Sequence, residues 1–403
     1  MNSSLASPAT TNGYQVLYRF VGYDSNRLDG SYPLGRLTAV QNRLYGTTLQ
    51  GGNFNYSACG ATKFFSGCGT VFEVTRSGLE RVLYRFAGGT DGYSPEAGLL
   101  ALNGALYGTT YFGGGTPCKR GSGCGIVFVV TLSGQEHVLH SFTGEPDGAN
   151  PAAALIAVNG VLYGTTEGGG YARKGCRGSG GCGTVYEITP SGHERVIYAF
   201  EGGKGGATPS GPLLYHNGAL YGTTYSGGSF GCGTVFEVTM PGKERSVYSF
   251  QSGSDGCAPH DGVVAVKQIL YGVTGFSGAK ACRCGTVFRV TPSGTERVIH
   301  SFTGGADGRS PVGLVAFKGL LYGTTSQGGN ACAYWGCGTV FKMTTSGKEQ
   351  VLYAFKAGTD GVGPDAGLFA LRGALYGTTA GGGHYYCQSS NTGCGTVFKI
   401  LPQ

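Results

Sequence analysis

The chain has 403 residues, of which 79 are Gly, 15 Pro and 14 Cys; glycine stands far above its usual ~7% share, yet lacks the every-third-residue period of collagen. With 40% hydrophobic and 12% aromatic residues against 13% charged ones, there is ample apolar surface to bury, which excludes a disordered chain. A net charge of +7 is modest for this length and does not demand a nucleic-acid partner, and no apolar stretch approaches the ~20 residues needed to cross a bilayer as a helix.

Residues 1–12 read as a flexible N-terminal tail and 13–403 as a single domain. The opening MNSSLASPATTNG has no apolar signal-peptide core, while an even number of cysteines suits an oxidising compartment. The expectation is an exported protein, secreted or held at the cell surface, whose signal has been removed. Residues 14–20 (YQVLYRF) copy residues 81–86 (RVLYRF) and therefore read as the outer strand of a repeat.

That repeat then runs to the C-terminus. LYGTT, with one variant, places tyrosines at 45, 107, 163, 221, 271, 322 and 376, and CG(T/I)V(F/Y) follows from Cys68, Cys124, Cys182, Cys232, Cys284, Cys337 and Cys394. Units of about fifty residues are too small to bury their own faces, so they must stack around a shared core. In the second unit, 97–102 reads as strand a, Asn103-Gly104 as a two-residue turn needing positive φ, and Ala105–Thr110 as strand b. After a variable loop, 125–131 is strand c, Ser133-Gly134 a turn and 136–142 strand d. No helical period occurs. The predicted fold is all-β: a seven-bladed β-propeller with four antiparallel strands per blade, 28 in all. The chain ends just after a strand c at 395–400, so the N-terminal strand is expected to complete the last blade and leave no open edge there.

The pattern GxLYGTTxxGG…GTVF resembles the GloVer tandem repeats of bacterial exported proteins, over essentially residues 14–400. This resemblance implies an exported repeat protein and carries no established activity. In blade length and paired glycines the chain also looks kelch-like, in architecture alone, and neither likeness transfers a catalytic residue.

In a propeller the a–b and c–d turns share one face, and the b–c and d–a connections the other. Here the first set is uniformly short. The b–c gaps, from the last Thr of YGTT to the motif Cys, are 19, 13, 15, 7, 9, 11 and 14 residues, so the rim is low at units four and five and a cleft should open there. Five loops carry a second cysteine, predicting the disulfides Cys59–Cys68, Cys118–Cys124, Cys176–Cys182, Cys332–Cys337 and Cys387–Cys394, each contributing ~2–4 kcal/mol by loop closure. Zinc would need convergent CxxC-like pairs, which these variable spacings do not supply. For Cys232, Cys257, Cys282 and Cys284, a Cys282–Cys284 bridge is expected to be strained, and Cys257 is expected to reach either Cys232 or Cys282; the spacing does not choose.

The d–a connections repeat D-G-x-x-P at Asp29, Asp91, Asp147, Asp255, Asp307 and Asp360, with Gly205 in the fourth copy. One carboxylate beside a glycine is the composition of an Asx-type turn rather than of a calcium site, which wants six to eight oxygens. Behind the proline, the chain enters strand a beside the channel, where Glu96, His260, Asp261 and Asp365 stand out as a candidate acid/base set. Pro259-His260-Asp261-Gly262 reads as an insertion at the low rim. The remaining histidines, including His137, His140, His193, His216 and His300, are expected only to solvate strand edges and turns. Tyr111, Glu167 and Tyr225, just past strand b, form a second tier, and His384 and Tyr385 lie in the last long loop. Tyr334 and Trp335 sit in a six-residue disulfide loop and are the strongest stacking candidates for a sugar ring or another flat ligand. Basic residues gather in the b–c loops without tracking a nucleic-acid backbone.

No GxSxG elbow, HExxH, P-loop or dinucleotide fingerprint is present, so no cofactor and no metal are expected. Three readings remain open: a carbohydrate- or glycan-binding propeller with one asymmetric cleft, a polysaccharide hydrolase or lyase, and a surface-display or adhesion scaffold. The expected partner is a carbohydrate or other extracellular ligand, bound by a monomer, with no nucleic acid and no membrane span.

Overall fold

The structure, a computed structural model, describes residues 13–22, 28–53, 58–59, 67–115, 118, 122–171, 176, 180–278, 282–332, 336–383, 387 and 393–402. The tail expected at 1–12 lies outside the described residues. Seven antiparallel sheets follow one another along the chain, each ordered a-b-c-d from the axis outwards, and inner strands of adjacent blades neighbour one another around that axis. The seventh blade contains Phe369–Leu371, Ala374–Thr379 and Thr396–Ile400, and its outer strand is Tyr14–Arg19 from the N-terminus. The ring is thus closed by strand pairing between the two ends of the chain, as the copied outer-strand sequence predicts.

Two details differ from expectation. The inner strand of the second blade is Leu100–Leu102 rather than 97–102, because the Ala97 carbonyl accepts a hydrogen bond from Thr47 Oγ1 of the preceding blade (2.8 Å) and Gly98 lies against the Arg36 backbone. In the fourth blade both Ala207–Pro209 and Leu214–His216 pair with Ala219–Ser226, so the described residues hold 29 strands rather than 28. Among the described residues the only helical turns are the single 3-10 turns Gly89–Asp91 and Gly203–Gly205.

Each letter of the repeat has a packing cause. A β-carbon on the glycine of LYGTT would meet the strand c ring of its own blade, as Gly46 does Phe72 (2.6 Å) and Gly222 does Phe236 (2.4 Å). That ring is then met edge-on by the phenylalanine ending strand d of the preceding blade: Phe20–Phe72, Phe86–Phe128, Phe142–Tyr186, Phe200–Phe236, Phe250–Phe288, Phe302–Phe341 and Phe355–Phe398, at 4.9–5.4 Å between centroids. Such pairs contribute ~0.5–1.5 kcal/mol each beyond their burial, and here they join every blade to its neighbour. The second threonine of LYGTT bonds the threonine of CGTV, as in Thr48–Thr70 and Thr379–Thr396 (both 2.8 Å), which satisfies two buried hydroxyls at once.

The d–a proline is a second latch between blades. A β-carbon on the glycine of CGTV would strike the Cδ of the next blade's proline at all seven junctions, from Gly69 against Pro95 to Gly395 against Pro33. The residue before each proline takes a left-handed φ, for example 58° at Ser94 and 60° at Thr208, and gives its N–H to the carbonyl of the preceding motif cysteine.

All fourteen cysteines are paired. The five local disulfides form as the loop spacings predict. Of the remaining four, Cys257 joins Cys232, tying the short fourth loop to the connection entering blade five, and Cys282 joins Cys284. Cys257 thus takes one of its two expected partners, and the pairing left to Cys282 and Cys284 closes where Arg283 takes a left-handed φ of 53°, with the two Cα atoms 5.2 Å apart.

Candidate functional site

The loop-bearing face assembles its polar residues from the four positions after each d–a proline, where the chain turns inwards to the axis. The prolines are equivalent at all seven junctions, so Pro259-His260-Asp261-Gly262 is an ordinary blade entry and not an insertion; Pro259 packs on Gly233 just as its six counterparts do on theirs. Second after the proline come Gly35, Ala97, Ala153, Gly211, Asp261, Gly313 and Ala366, so a single carboxylate stands among small residues. Third come Arg36, Gly98, Ala154, Pro212, Gly262, Leu314 and Gly367, with a single guanidinium. Small neighbours make room for both. A β-carbon on Gly313 would fall 1.6 Å from Asp261 Oδ2, and one on Gly367 would lie 3.5 Å from the same oxygen and 3.9 Å from Arg36 Cδ. Asp261, from the fifth blade, therefore reaches over the sixth and seventh blades towards Arg36 of the first.

Two groupings result. In one, burial pushes the Asp261 carboxyl up, opposed by His260 and Arg36, and burial pulls the Arg36 guanidinium down, opposed by Asp261. Arg36 Nε is buried without a hydrogen-bond partner. His260 Nδ1 lies 3.3 Å from the Ala258 carbonyl, and its own carbonyl accepts Ser210 Oγ at 3.3 Å. In the other, Tyr111 Oη donates to Glu167 Oε2 (2.9 Å), and the Tyr111 carbonyl accepts Asn150 Nδ2 (3.0 Å). Burial raises the Glu167 carboxyl, with the Tyr111 hydrogen bond opposing. Glu96 is pushed up to about 7 by burial and by the nearby Glu167. Asp365 is likewise pushed up to about 7 by its enclosure in protein, although its side chain remains open to water at the channel mouth.

Aromatic residues stand on three consecutive b–c loops of this face. Tyr171, Tyr225, Phe230 and Phe276, from blades three to five, are 56%, 41%, 59% and 49% exposed. Tyr225, Phe230 and Phe276 belong to the two shortest loops, those of blades four and five, whereas Tyr171 stands on the longer loop of blade three. Of the expected ligand-binding residues, Tyr111 and Glu167 are brought together and Tyr225 is presented to solvent; Tyr334, Trp335, His384 and Tyr385 lie outside the described residues. Arg36 was not singled out from the sequence, nor were Tyr171, Phe230 and Phe276 separated from the other loop aromatics. The signal for Arg36 was available in the column that it interrupts, where the other six residues carry no charge.

The repeated aspartates are turn residues. Each described carboxylate takes the backbone N–H four residues before it, as Asp255 from Gln251 and Asp360 from Lys356 (both 2.8 Å), or nearby amides in the case of Asp29. A strand d hydroxyl adds to this, as Tyr84 to Asp91 (2.6 Å) and Tyr248 to Asp255 (2.9 Å). At two junctions a histidine replaces that tyrosine. His140 Nε2 lies 3.1 Å from Asp147 Oδ2, and His300 Nε2 lies 3.5 Å from Asp307 Oδ2. These two are therefore half-buried partners of carboxylates rather than solvating edge residues, because position 140 or 300 faces the blade seam where the tyrosine otherwise sits.

On the opposite face, a shallow cavity of about 440 Å³ is lined by Gln41, Arg43, Tyr45, Glu73, Arg81 and Leu132. Its buried Glu73 is paired with both Arg43 and Arg81, so the charges there satisfy one another and leave no reactive group free.

No curated protein matches the chain. Several solved structures resemble it distantly. They include the tricorn protease (11% identity, TM-score 0.42, 86% of this chain and 27% of that one) and a gluconolactonase of Xanthomonas campestris (16%, 0.43, 77% and 85%). A PQQ-bound aldose sugar dehydrogenase of Streptomyces coelicolor aligns over 98% of this chain and 99% of its own, at 12% identity and a TM-score of 0.44. The chain spans about a quarter of the tricorn protease, and none of these likenesses carries chemistry to it. The sequence repeat is the informative match: residues 56–282 and 176–398 each fit the Gloeobacter/Verrucomicrobia repeat, so the chain belongs to that repeat family.

Proposed function

We propose that this propeller binds a carbohydrate across the mouth of its central channel, between the aromatic rim of blades three to five and the polar groups at the blade entries. The observation that carries this reading is the lone carboxylate of Asp261 and the lone guanidinium of Arg36 at blade entries whose equivalent residues are uncharged, on the face that also carries Glu96, Glu167 and four exposed aromatic rings on consecutive loops. Carboxyl and guanidinium groups pair with vicinal hydroxyls, while exposed rings stack on the apolar face of a sugar. Seven disulfides suit an oxidising environment, which supports export to where glycans are met, and among the described residues no helix is long and apolar enough to cross a membrane.

Calorimetry against a panel of neutral oligosaccharides tests this. At least one ligand should bind, and Tyr225→Ala combined with Phe230→Ala should weaken it about tenfold, ~1.4 kcal/mol. Binding untouched by that pair, and by Trp335→Ala, removes the stacking argument; a panel without any binder leaves the display or adhesion scaffold.

Catalysis is the second reading, favoured by Glu96 and Asp365, both titrating near neutrality where a carboxyl serves as general acid. Its mark is release of new sugar ends by wild type, lost in Glu96→Gln or His260→Ala. Tight binding without turnover in wild type excludes it.

A further inference from the structure

Five of the seven blade seams repeat one arrangement: a ring from strand d, the aspartate of the d–a connection, and the glutamate that opens strand d of the next blade; the fourth d–a connection has Gly205 in place of the aspartate, and the strand Tyr14–Arg19 opens without a glutamate. In most seams the ring is a tyrosine, as in Tyr84–Asp91–Glu136 and Tyr248–Asp255–Glu296, where the hydroxyl donates one hydrogen bond to the aspartate and its chemistry ends there. Between the second and third blades the ring is His140. An imidazole nitrogen in that place is a metal ligand, which a neutral phenol is not.

We propose that His140, Asp147 and Glu194 form a divalent transition-metal site of the zinc class that staples the second blade to the third. His140 Nε2 lies 3.2 Å from Asp147 Oδ1 and 3.1 Å from Oδ2, and one ligand atom from each of the three residues lies within 4.8 Å of the others. Ligand atoms held ~2.0–2.2 Å from a tetrahedral zinc stand ~3.3 Å apart, so side-chain rotation alone closes the set. Glu194 Oε1 is buried without a hydrogen-bond partner, as are its counterparts Glu136 and Glu296 in tyrosine seams, so what sets this seam apart is the imidazole placed beside two carboxylates. The histidine is held in place edge-on against Phe142 at 4.9 Å. One imidazole with two carboxylates selects zinc-like ions over calcium, and three protein ligands leave a position for water. No free cysteine competes for the metal. The other histidine seam is looser, with His300 Nε2 3.5 Å from Asp307 Oδ2.

The test is titration of the full chain, free of any histidine tag and stripped with EDTA, with zinc chloride in a calorimeter. His140→Tyr restores the ring found in the sibling seams and should preserve the propeller while losing one bound equivalent relative to wild type. Glu194→Gln, which keeps the side chain's shape, should weaken that same equivalent at least tenfold. In wild type, zinc should raise the thermal midpoint, and this rise should shrink in both variants. The proposal is overturned if wild type binds no zinc, or if both variants bind as many equivalents as wild type with unchanged affinity.

Discussion

Seven copies of one motif allow each residue to be judged by what it touches in every copy. The glycine of LYGTT is an answer to the ring of strand c: with 2.4 Å between a β-carbon at Gly222 and Phe236 Cζ, Gly222→Ala must push the ring against its Phe200 partner. We expect a loss of ~1–3 kcal/mol in denaturant unfolding, and an unchanged midpoint would contradict this packing account. The a–b turns tell the reverse story. Asn103, Asn159 and Asn217 take the left-handed φ that asparagine tolerates, but Arg372 adopts φ 48° at the equivalent place, exposed and with a bulky side chain. Arg372→Asn should stabilise the protein by about 0.5 kcal/mol, read as a small rise in thermal midpoint. Arg36 and Asp261 are the opposite kind of residue, departures from columns of uncharged ones, and that is why they mark the site.

Among the elements, the b–c loops differ in length but are pinned by the same device, a disulfide at the cysteine whose carbonyl receives the next blade's pre-proline N–H. The fourth loop is too short to hold a second cysteine and borrows Cys257 from the following connection, so its bridge encloses 25 residues of separation against 6 for Cys118–Cys124. In the chain-entropy picture the first is worth about 3.5 kcal/mol and the second about 2. Replacing Cys232 and Cys257 together by alanine should therefore lower the thermal midpoint more than replacing Cys118 and Cys124; equal effects would show that the bridge adds nothing between blades.

For the whole molecule, the blade seams and channel mouth bury carboxyls that fold into raised pKa values. Glu96, Glu136, Glu194 and Glu296 are each pushed up to about 7, chiefly by burial, with neighbouring carboxylates adding to it. A group whose folded value exceeds its unfolded one gives stability that is fully present below the unfolded pKa, near 4 for these side chains, and is lost as pH rises through about 7. His140, raised by Asp147 against the opposing effect of burial, acts in the same direction, while Asp307, lowered by His300 and Thr303 against burial, acts in the opposite one at acid pH. The thermal midpoint should accordingly be higher at pH 5.5 than at pH 8.5. A profile that is flat or rises across that interval would show that these carboxyls are not held protonated by the fold.

The amino-acid sequence by itself determined the blade count, the strand order within a blade, the closing role of residues 14–20 and the five local disulfides. All of these depend on periodicity and on contacts between neighbours in the chain, which repetition writes out seven times. Tertiary structure alone decided that Cys257 takes Cys232, that His140 and His300 face buried carboxylates, and that Asp261 reaches over two intervening blades towards Arg36. Those outcomes depend on how the connections fold back over the blade seams and how a closed ring turns separate blades towards one axis; only the last of them joins residues more than a hundred positions apart, and none is written in the spacing of a single repeat.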